Sequence, residues 1–252
     1  MDDRSFLPPP AAAARFLAVD GLANARDLGG IACGDGHTTP TGVFFRSENV
    51  DQVTETGWEQ LYAAGIRTVL DLRQPAERAL DTRPRPDWLT TVAVDLDGLE
   101  NTEFWAGYWH NGLVGTALYF LPHLAAMPER TGAALSALAT APPGGVLFHC
   151  MAGRDRTGQI ALMLLAIIGA DPEAIVDDYL ETVRRGDERA AASGRTNDEP
   201  ASEALCRTFG TTTEGAFRWA PAGPDLPAVL AAAGLTDADL AALRSWRQSL
   251  AD

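Results

Sequence analysis

A chain of 252 residues that is 46% apolar and 21% charged has ordinary globular chemistry, enough for one large domain or two small ones. Its net charge of −14 argues against general binding to nucleic acid or to anionic membranes, so any anion site must be a local positive pocket in a negative field. Three widely spaced cysteines, Cys33, Cys150 and Cys206, form neither a disulfide framework nor a zinc pattern and read as reduced thiols.

Residues 1–15, acidic at the start and broken by Pro8, Pro9 and Pro10, read as a flexible arm rather than a secretory signal. A single domain is expected over 16–252. NARDLGG (24–30) ends in a glycine turn, and GIACGDG and GVFFRS read as two short strands around Asp35-Gly36. Thr54 is expected to cap a helix to about residue 64, which Gly65 ends. IRTVLDLR (66–73) and TTVAVDL (90–96) are expected as strands, and the aromatic-rich stretch 99–128 as helices. A helix over 130–140, a Pro-Pro-Gly-Gly break and the strand VLFH come next.

The longest apolar run, IALMLLAIIGA, is too short to span a bilayer and reads as a buried helix from Thr157 to about Ile168. Asp171-Pro172-Glu173 opens another helix to about residue 185, with Asp171 expected as its cap, proline at the first helical position and an acid in the first turn. The polar, small-residue stretch 186–201 reads as a mobile loop, and the wider region 186–220 as a lid or a loop. A helical pair is expected over 225–250, with a capping box at Thr236 and Asp239. Strands alternating with helices give an α/β class with a central, mostly parallel sheet flanked by helices.

Between strand and helix lies HCMAGRDRTG (149–158). The strand delivers Cys150 to a sheet edge, and Ala152 and Gly153 let backbone approach a ligand closely. The helix then aims its N-terminus at the same point. This is the layout of a cradle for a phosphate-like dianion, lined by Met151, Ala152, Gly153, Arg154, Asp155 and Arg156. Cations and a helix N-terminus favour the thiolate, so Cys150 is placed for attack on phosphorus. Arg156 can curl round the loop and hold two phosphoryl oxygens with its planar fork.

HCMAGRDRTG resembles the Cys-x5-Arg signature of protein tyrosine phosphatases. In its fuller form it resembles an atypical bacterial branch with tyrosine, dual-specificity and phosphoinositide-active members. NARDLGG, VFFRS (43–47), GIRTVLDLR (65–73) and DDYL (177–180) resemble that branch too, in the same order, so the likeness covers roughly residues 20 to 185. The resemblance implies a tyrosine phosphatase-like α/β fold with the phosphate loop between a strand and a helix. It also implies hydrolysis with no metal and no cofactor. Cys150 would be the nucleophile, and Arg156 would bind phosphate. Thr157 would stabilise the departing thiolate, and His149 would hold the loop by a hydrogen bond.

The proton donor is less plain, because no aspartate lies between Asp97 and Asp155. The resemblance favours Asp155, whose structural reading is a loop brace paired with Arg154 or Arg26. Asp71 reads as a partner of Arg73 or of the NARD segment, and Asp95 and Asp97 are the remaining acids. Asn24, Arg26 and Asp27 are expected in a network touching the site, with Arg46 bracing the cradle. Arg154 adds a second charge beside the phosphate, whereas the apolar Met151 occupies a slot where the resemblance implies a basic residue in lipid phosphatases.

The expected partner is therefore a phosphotyrosine protein or peptide, with phosphoserine, phosphothreonine or a phosphoinositide secondary. Neither nucleic acid nor stable membrane insertion is expected. The alternatives are a phosphoinositide phosphatase, a catalytically dead phosphate reader, and a thiol oxidoreductase or sulfur transferase. The cytoplasm is the expected location, although related bacterial enzymes can be exported without a plain signal.

Overall fold

Five strands form one sheet in the order β1-β2-β5-β3-β4 in the computed structural model, which describes residues 15–81, 83–222 and 226–247. The strands are β1 (Arg26–Asp27), β2 (Phe44–Ser47), β3 (Ile66–Asp71), β4 (Thr90–Ala93) and β5 (Gly145–His149). Only β1 runs antiparallel to its neighbour, so the central sheet is parallel as the alternation of elements implied.

Twelve α-helices connect and cover the strands among the described residues. Helix α1 (Glu55–Ala63) precedes β3 and α2 (Pro75–Arg78) follows it. Between β4 and β5 lie α3 (Thr102–Ala106), α4 (Phe120–Ala126) and α5 (Pro128–Thr140). After β5 come α6 (Asp155–Ile168), α7 (Pro172–Arg184), α8 (Gly186–Ser193), α9 (Glu199–Thr208), α10 (Thr213–Ala222), α11 (Leu226–Ala232) and α12 (Asp237–Arg244).

Side chains alternate across the sheet because successive strand residues point to opposite faces. Phe45, Val69 and Leu147 join Trp58 and Leu61 of α1 on one face. Phe44, Leu70, Val146 and Phe148 face the larger core, built with Leu135 and Leu138 of α5 and Ile160, Leu164 and Leu165 of α6. Thr54 caps α1 by accepting from the Gly57 amide at 3.1 Å, and Gly65 leaves it at φ +86°.

Three local expectations are corrected. GIACGDG does not form a strand: positive φ at Gly30 and Gly36 breaks it, leaving isolated bridges from Ala32 to Thr38 and Cys33 to Ala170. Asp171 occupies the N-cap of α7 without a side-chain capping bond. The expected loop over 186–201 is mostly helical, as α8 and the start of α9. Its polarity hid good local signals, namely acids in the first turn of α8, an alanine run and Gly194 at φ +65° closing the helix. The box at Thr236 and Asp239 does open α12. The proposed arm, apart from Arg15, lies outside the described residues, as do 225 and 248–250 of the expected helical pair.

Candidate active site

The chain leaves β5 at His149, turns through Cys150 to Arg154, and enters α6 at Asp155. Gly153 is required twice over. Its φ is +67°, and a Cβ there would lie 2.4 Å from the Ser47 carbonyl oxygen. Three consecutive carbonyls of the loop are held from outside. Met151 O accepts from the Asn49 amide at 3.0 Å, Ala152 O from Arg189 Nη1 at 3.3 Å, and Gly153 O from Arg46 Nη2 at 2.8 Å. With these carbonyls so held, the amides of Met151 to Arg154 donate to nothing among the described residues. Together with the first-turn amides of α6 they form an anion-binding nest at the positive end of a 14-residue helix.

Cys150, 2% exposed, stands at the head of this nest. His149 Nδ1 donates to the Cys150 carbonyl at 3.0 Å, and burial holds its imidazole below the ordinary range. Its Nε2 lies 3.8 Å from Asp71 Oδ2. Asp71 itself is gripped by Arg73, with Nη2 at 2.8 Å; against the opposing effect of burial, that contact keeps the carboxylate below its ordinary range. Of the two partners expected for Asp71, Arg73 is the one found. Thr157 Oγ1, one residue beyond the loop, is buried with no hydrogen-bond partner among the described residues.

Arg156 enters the site differently from expectation. Its fork is already taken: both Nη atoms donate to Glu77 on α2, Nη2 at 2.9 Å from Oε1, and Nη1 also reaches Asp97 Oδ2 at 2.9 Å. Arg154 is a correction. It does not stand beside the phosphate loop as a second free charge. Its guanidinium, 2% exposed, turns away to Glu199, to the Gly115 carbonyl and to Asp155 Oδ1 at 2.8 Å. That ion pair also resolves the brace reading of Asp155 in favour of Arg154 over Arg26.

The NARD segment and Arg46 form a separate network behind the loop. Asp178 of α7, in the DDYL stretch, receives Arg26 Nε at 3.0 Å, Arg46 Nη1 at 2.7 Å and Arg15 Nη1 at 2.9 Å. Asn24 Oδ1 accepts from Arg26 Nη1 at 2.6 Å. Burial opposes the Asp178 charge, but these three arginines hold its carboxyl far below the ordinary range. Arg46 carries this network to the Gly153 carbonyl. Asp27 joins it only through its backbone carbonyl, which accepts from Arg15 Nη1 at 3.1 Å, while its carboxylate accepts from the amides of Gly29 and Gly42, both at 2.7 Å, and braces the turn.

Several site residues escaped the sequence reading: Glu77, Glu199, Arg189 and Asn49. The only local signal was the capping box that places Glu77 at the start of α2. Asp97 is 3% exposed; burial pushes its carboxyl up to about 6, against the pull of Arg156. Among the described residues there is no group of metal-ligating side chains, and no helix is long and apolar enough to cross a membrane.

A sequence model described as "Tyrosine phosphatase family" matches residues 17–246. A Cupriavidus necator protein provisionally named a tyrosine-protein phosphatase is 32% identical over 175 residues, 67% of this chain and 63% of that protein. The triple specificity protein phosphatase PtpB of Mycobacterium tuberculosis is 30% identical over 169 residues, 56% of this chain and 61% of its own. A tyrosine-protein phosphatase of Nostoc commune is 29% identical over 144 residues, 48% of its length. The match thus spans 48% to 63% of the length of these relatives. A crystal structure of P. aeruginosa TpbA in complex with pTyr aligns over 89% of this chain and 98% of its own, with TM-score 0.38 and 16% identity.

Proposed function

Because the chain belongs to the tyrosine phosphatase family, we propose that it hydrolyses phosphotyrosine through a phosphocysteine on Cys150, with phosphoserine and phosphothreonine as secondary substrates. One observation carries the reading: a buried cysteine heads a loop whose carbonyls are held by Asn49, Arg189 and Arg46 and whose amides, at a helix N-terminus, have no acceptor among the described residues. That arrangement supports binding of a phosphoryl group against a sulfur nucleophile.

In the first step Sγ of Cys150 attacks phosphorus. The S–P bond forms as the ester P–O bond breaks, and the leaving oxygen takes a proton. Water then attacks phosphorus, the S–P bond breaks, and inorganic phosphate leaves with the thiolate restored. Thr157 Oγ1 offers the returning thiolate a donor. Arg156 serves the transition state, where charge builds on the equatorial oxygens. Glu77 holds its guanidinium in register, and the phosphate competes with these carboxylates for the fork. The inward turn of Arg154 supports a monophosphate in preference to a multiply phosphorylated headgroup.

The test is hydrolysis of para-nitrophenyl phosphate and of a phosphotyrosine peptide with EDTA and reductant present. Wild type is expected to turn over both. Arg156→Lys should lose roughly 10²–10³-fold, the usual cost of one preorganised electrostatic contact. Activity that needs added metal, or a lysine variant as fast as wild type, would remove the mechanism.

Asp155, one residue before Arg156, is the proposed proton donor. A second reading gives that role to Asp97, favoured by its burial beside Arg156 and its carboxyl near 6. A general acid works only while protonated, so an Asp97 acid sets an alkaline limb: activity is present below about 6 and falls as pH rises through it. Asp155→Asn and Asp97→Asn are to be compared across aryl phosphates of rising leaving-group pKa. The true donor's variant should lose most on the poorest leaving groups, by about 10²–10⁴-fold. If Asp97 is the donor, its variant should also lose the alkaline limb.

A further inference from the structure

A guanidinium carries N–H donors at Nε and at both Nη atoms. In Arg156 the Nη side is spent on carboxylates. Glu77 accepts from both Nη atoms, and Asp97 Oδ2 accepts from Nη1 at 2.9 Å. Nε–H and the remaining Nη2 hydrogen have no partner among the described residues, and the side chain stays 14% exposed. That open edge can still meet an anion with two parallel bonds. An anion held there shares one positive charge with two carboxylates already in place.

The two carboxylates are not equally supported. Glu77 is 19% exposed and accepts from the Gln74 amide at 3.2 Å as well as from Arg156. Burial opposes its charge, but the Arg156 contact holds it below the ordinary range. The Asp97 side chain is 4% exposed, and its carboxylate accepts only from Arg156 among the described residues. Its own amide donates to Asp95 Oδ1 at 3.1 Å, which fixes another carboxylate beside it. Glu77 of α2 and Asp155 of α6 add negative charge from the elements packed around it. Arg130 of α5 is turned away, to the Asp95 carbonyl at 3.1 Å and to Glu100. Burial favours the neutral forms of His123 on α4 and of Tyr119 just before it. Arg156 is therefore the one cation in contact with this carboxylate among the described residues.

We propose that Asp97 takes up one proton from solvent each time a dianion binds the 150–156 loop and Arg156, which makes it a positioning residue that acts through Arg156 and not on the substrate itself. The inference rests on the anion site of the phosphatase reading. A dianion on the open edge draws the guanidinium charge away from Asp97, whose carboxylate is left buried with neither water nor a full counter-charge. Glu77 keeps its two guanidinium bonds and its backbone amide, so Asp97 is the group that gives up its charge. The proton removes one repulsion from the bound anion, and no bond to phosphorus is made or broken. The sign follows from where Asp97 titrates. Below about 6 it already holds the proton, and binding is independent of pH; above about 6 the proton has to be gathered, and affinity falls as pH rises. This linkage belongs to binding and holds whichever residue donates the proton in the chemical step.

The probe is inorganic sulfate, which cannot react and stays a dianion from about pH 5 to about pH 8. It is titrated by calorimetry into Cys150→Ser, which removes the ionisable thiol, and into Cys150→Ser/Asp97→Asn, at fixed ionic strength. In Cys150→Ser the affinity should be level below about pH 6 and fall by up to about tenfold per unit above it. Binding heats near about pH 8, in two buffers of different protonation enthalpy, should show close to one proton taken up per sulfate. The double variant should take up none. It should bind sulfate roughly ten- to hundredfold more tightly than Cys150→Ser at about pH 8, with little difference at about pH 5. The uptake is read in Cys150→Ser alone, so the test survives if Asp97→Asn fails to fold. Level affinity without uptake overturns the proposal and leaves the phosphatase reading standing. An equal slope in the double variant overturns it too, because another group then carries the proton. Absence of sulfate binding at every pH overturns it together with the anion site. Metal-free turnover of para-nitrophenyl phosphate by wild type measures the phosphatase reading separately. If that turnover is absent while sulfate binding is proton-linked, the phosphatase reading falls and the linkage stands.

Discussion

Cys150→Ser is expected to reduce turnover by at least about 10⁴-fold while the protein stays folded and still binds phosphate, as loss of a nucleophile does in other covalent hydrolases. The substitution is nearly isosteric and the site is built from backbone. The loop keeps its shape through Asn49, Arg189 and Arg46, none of which touches the sulfur. What is lost is the thiolate, for which a serine hydroxyl is a poor replacement at neutral pH. The measurement is single-turnover hydrolysis with a parallel phosphate titration. Turnover within tenfold of wild type would show that another group attacks phosphorus. Loss of phosphate binding as well would show that sulfur shapes the cradle.

Asp178→Asn should be the most destabilising single change of its size. Asp178 and the guanidiniums of Arg26 and Arg46 are each 1% exposed or less, and all meet at one carboxylate with Arg15. Removing one partner of a buried ion pair costs about 3–5 kcal/mol, because the remaining charge has neither water nor counter-charge. For a chain of this size that is roughly 6–20 °C in melting temperature. Activity should fall even where the variant is folded, since Arg46 then loses its anchor and the Gly153 carbonyl its fixed donor.

The pH dependence has a definite sign. The folded-state pKa of Asp178 lies below its ordinary 3.8, so its contribution is present above about 3.8 and lost as pH falls below it. The melting-temperature gap between wild type and Asp178→Asn should therefore be constant near neutrality and shrink below about pH 4. A gap that stays constant into acid, or one of under 2 °C at pH 7, would mean the arginines find other partners.

Local chemistry was readable in the sequence where neighbours in the chain are neighbours in space. The strand, loop and helix of VLFHCMAGRDRTG, the Thr54 cap and the box at Thr236 each depend on residues a few positions apart. The partners of Arg156 could not be read that way. Glu77 and Asp97 lie 79 and 59 residues away, and only the parallel packing of β3, β4 and β5 brings their exits to one edge. Arg154 was misjudged for a related reason. Its position in the loop suggested a phosphate contact, but Glu199 on a helix read as loop supplies a buried carboxylate that draws it inward. Asp178 looked like one acid in a helix, and three arginines from the opposite end of the chain make it a hub.

The pinned carbonyls of the loop also bear on how the chain folds. The donors for Met151, Ala152 and Gly153 lie 102, 37 and 107 residues away, in strand exits and helices formed by separate parts of the chain. Loop closure over such separations is slow, and none of these contacts rewards the chain until both ends are in place. The nest is therefore among the last features to form during refolding and among the first to go on partial unfolding. Regained phosphate turnover would trail the return of helical signal, making catalysis a sharper clock for completed folding than secondary structure.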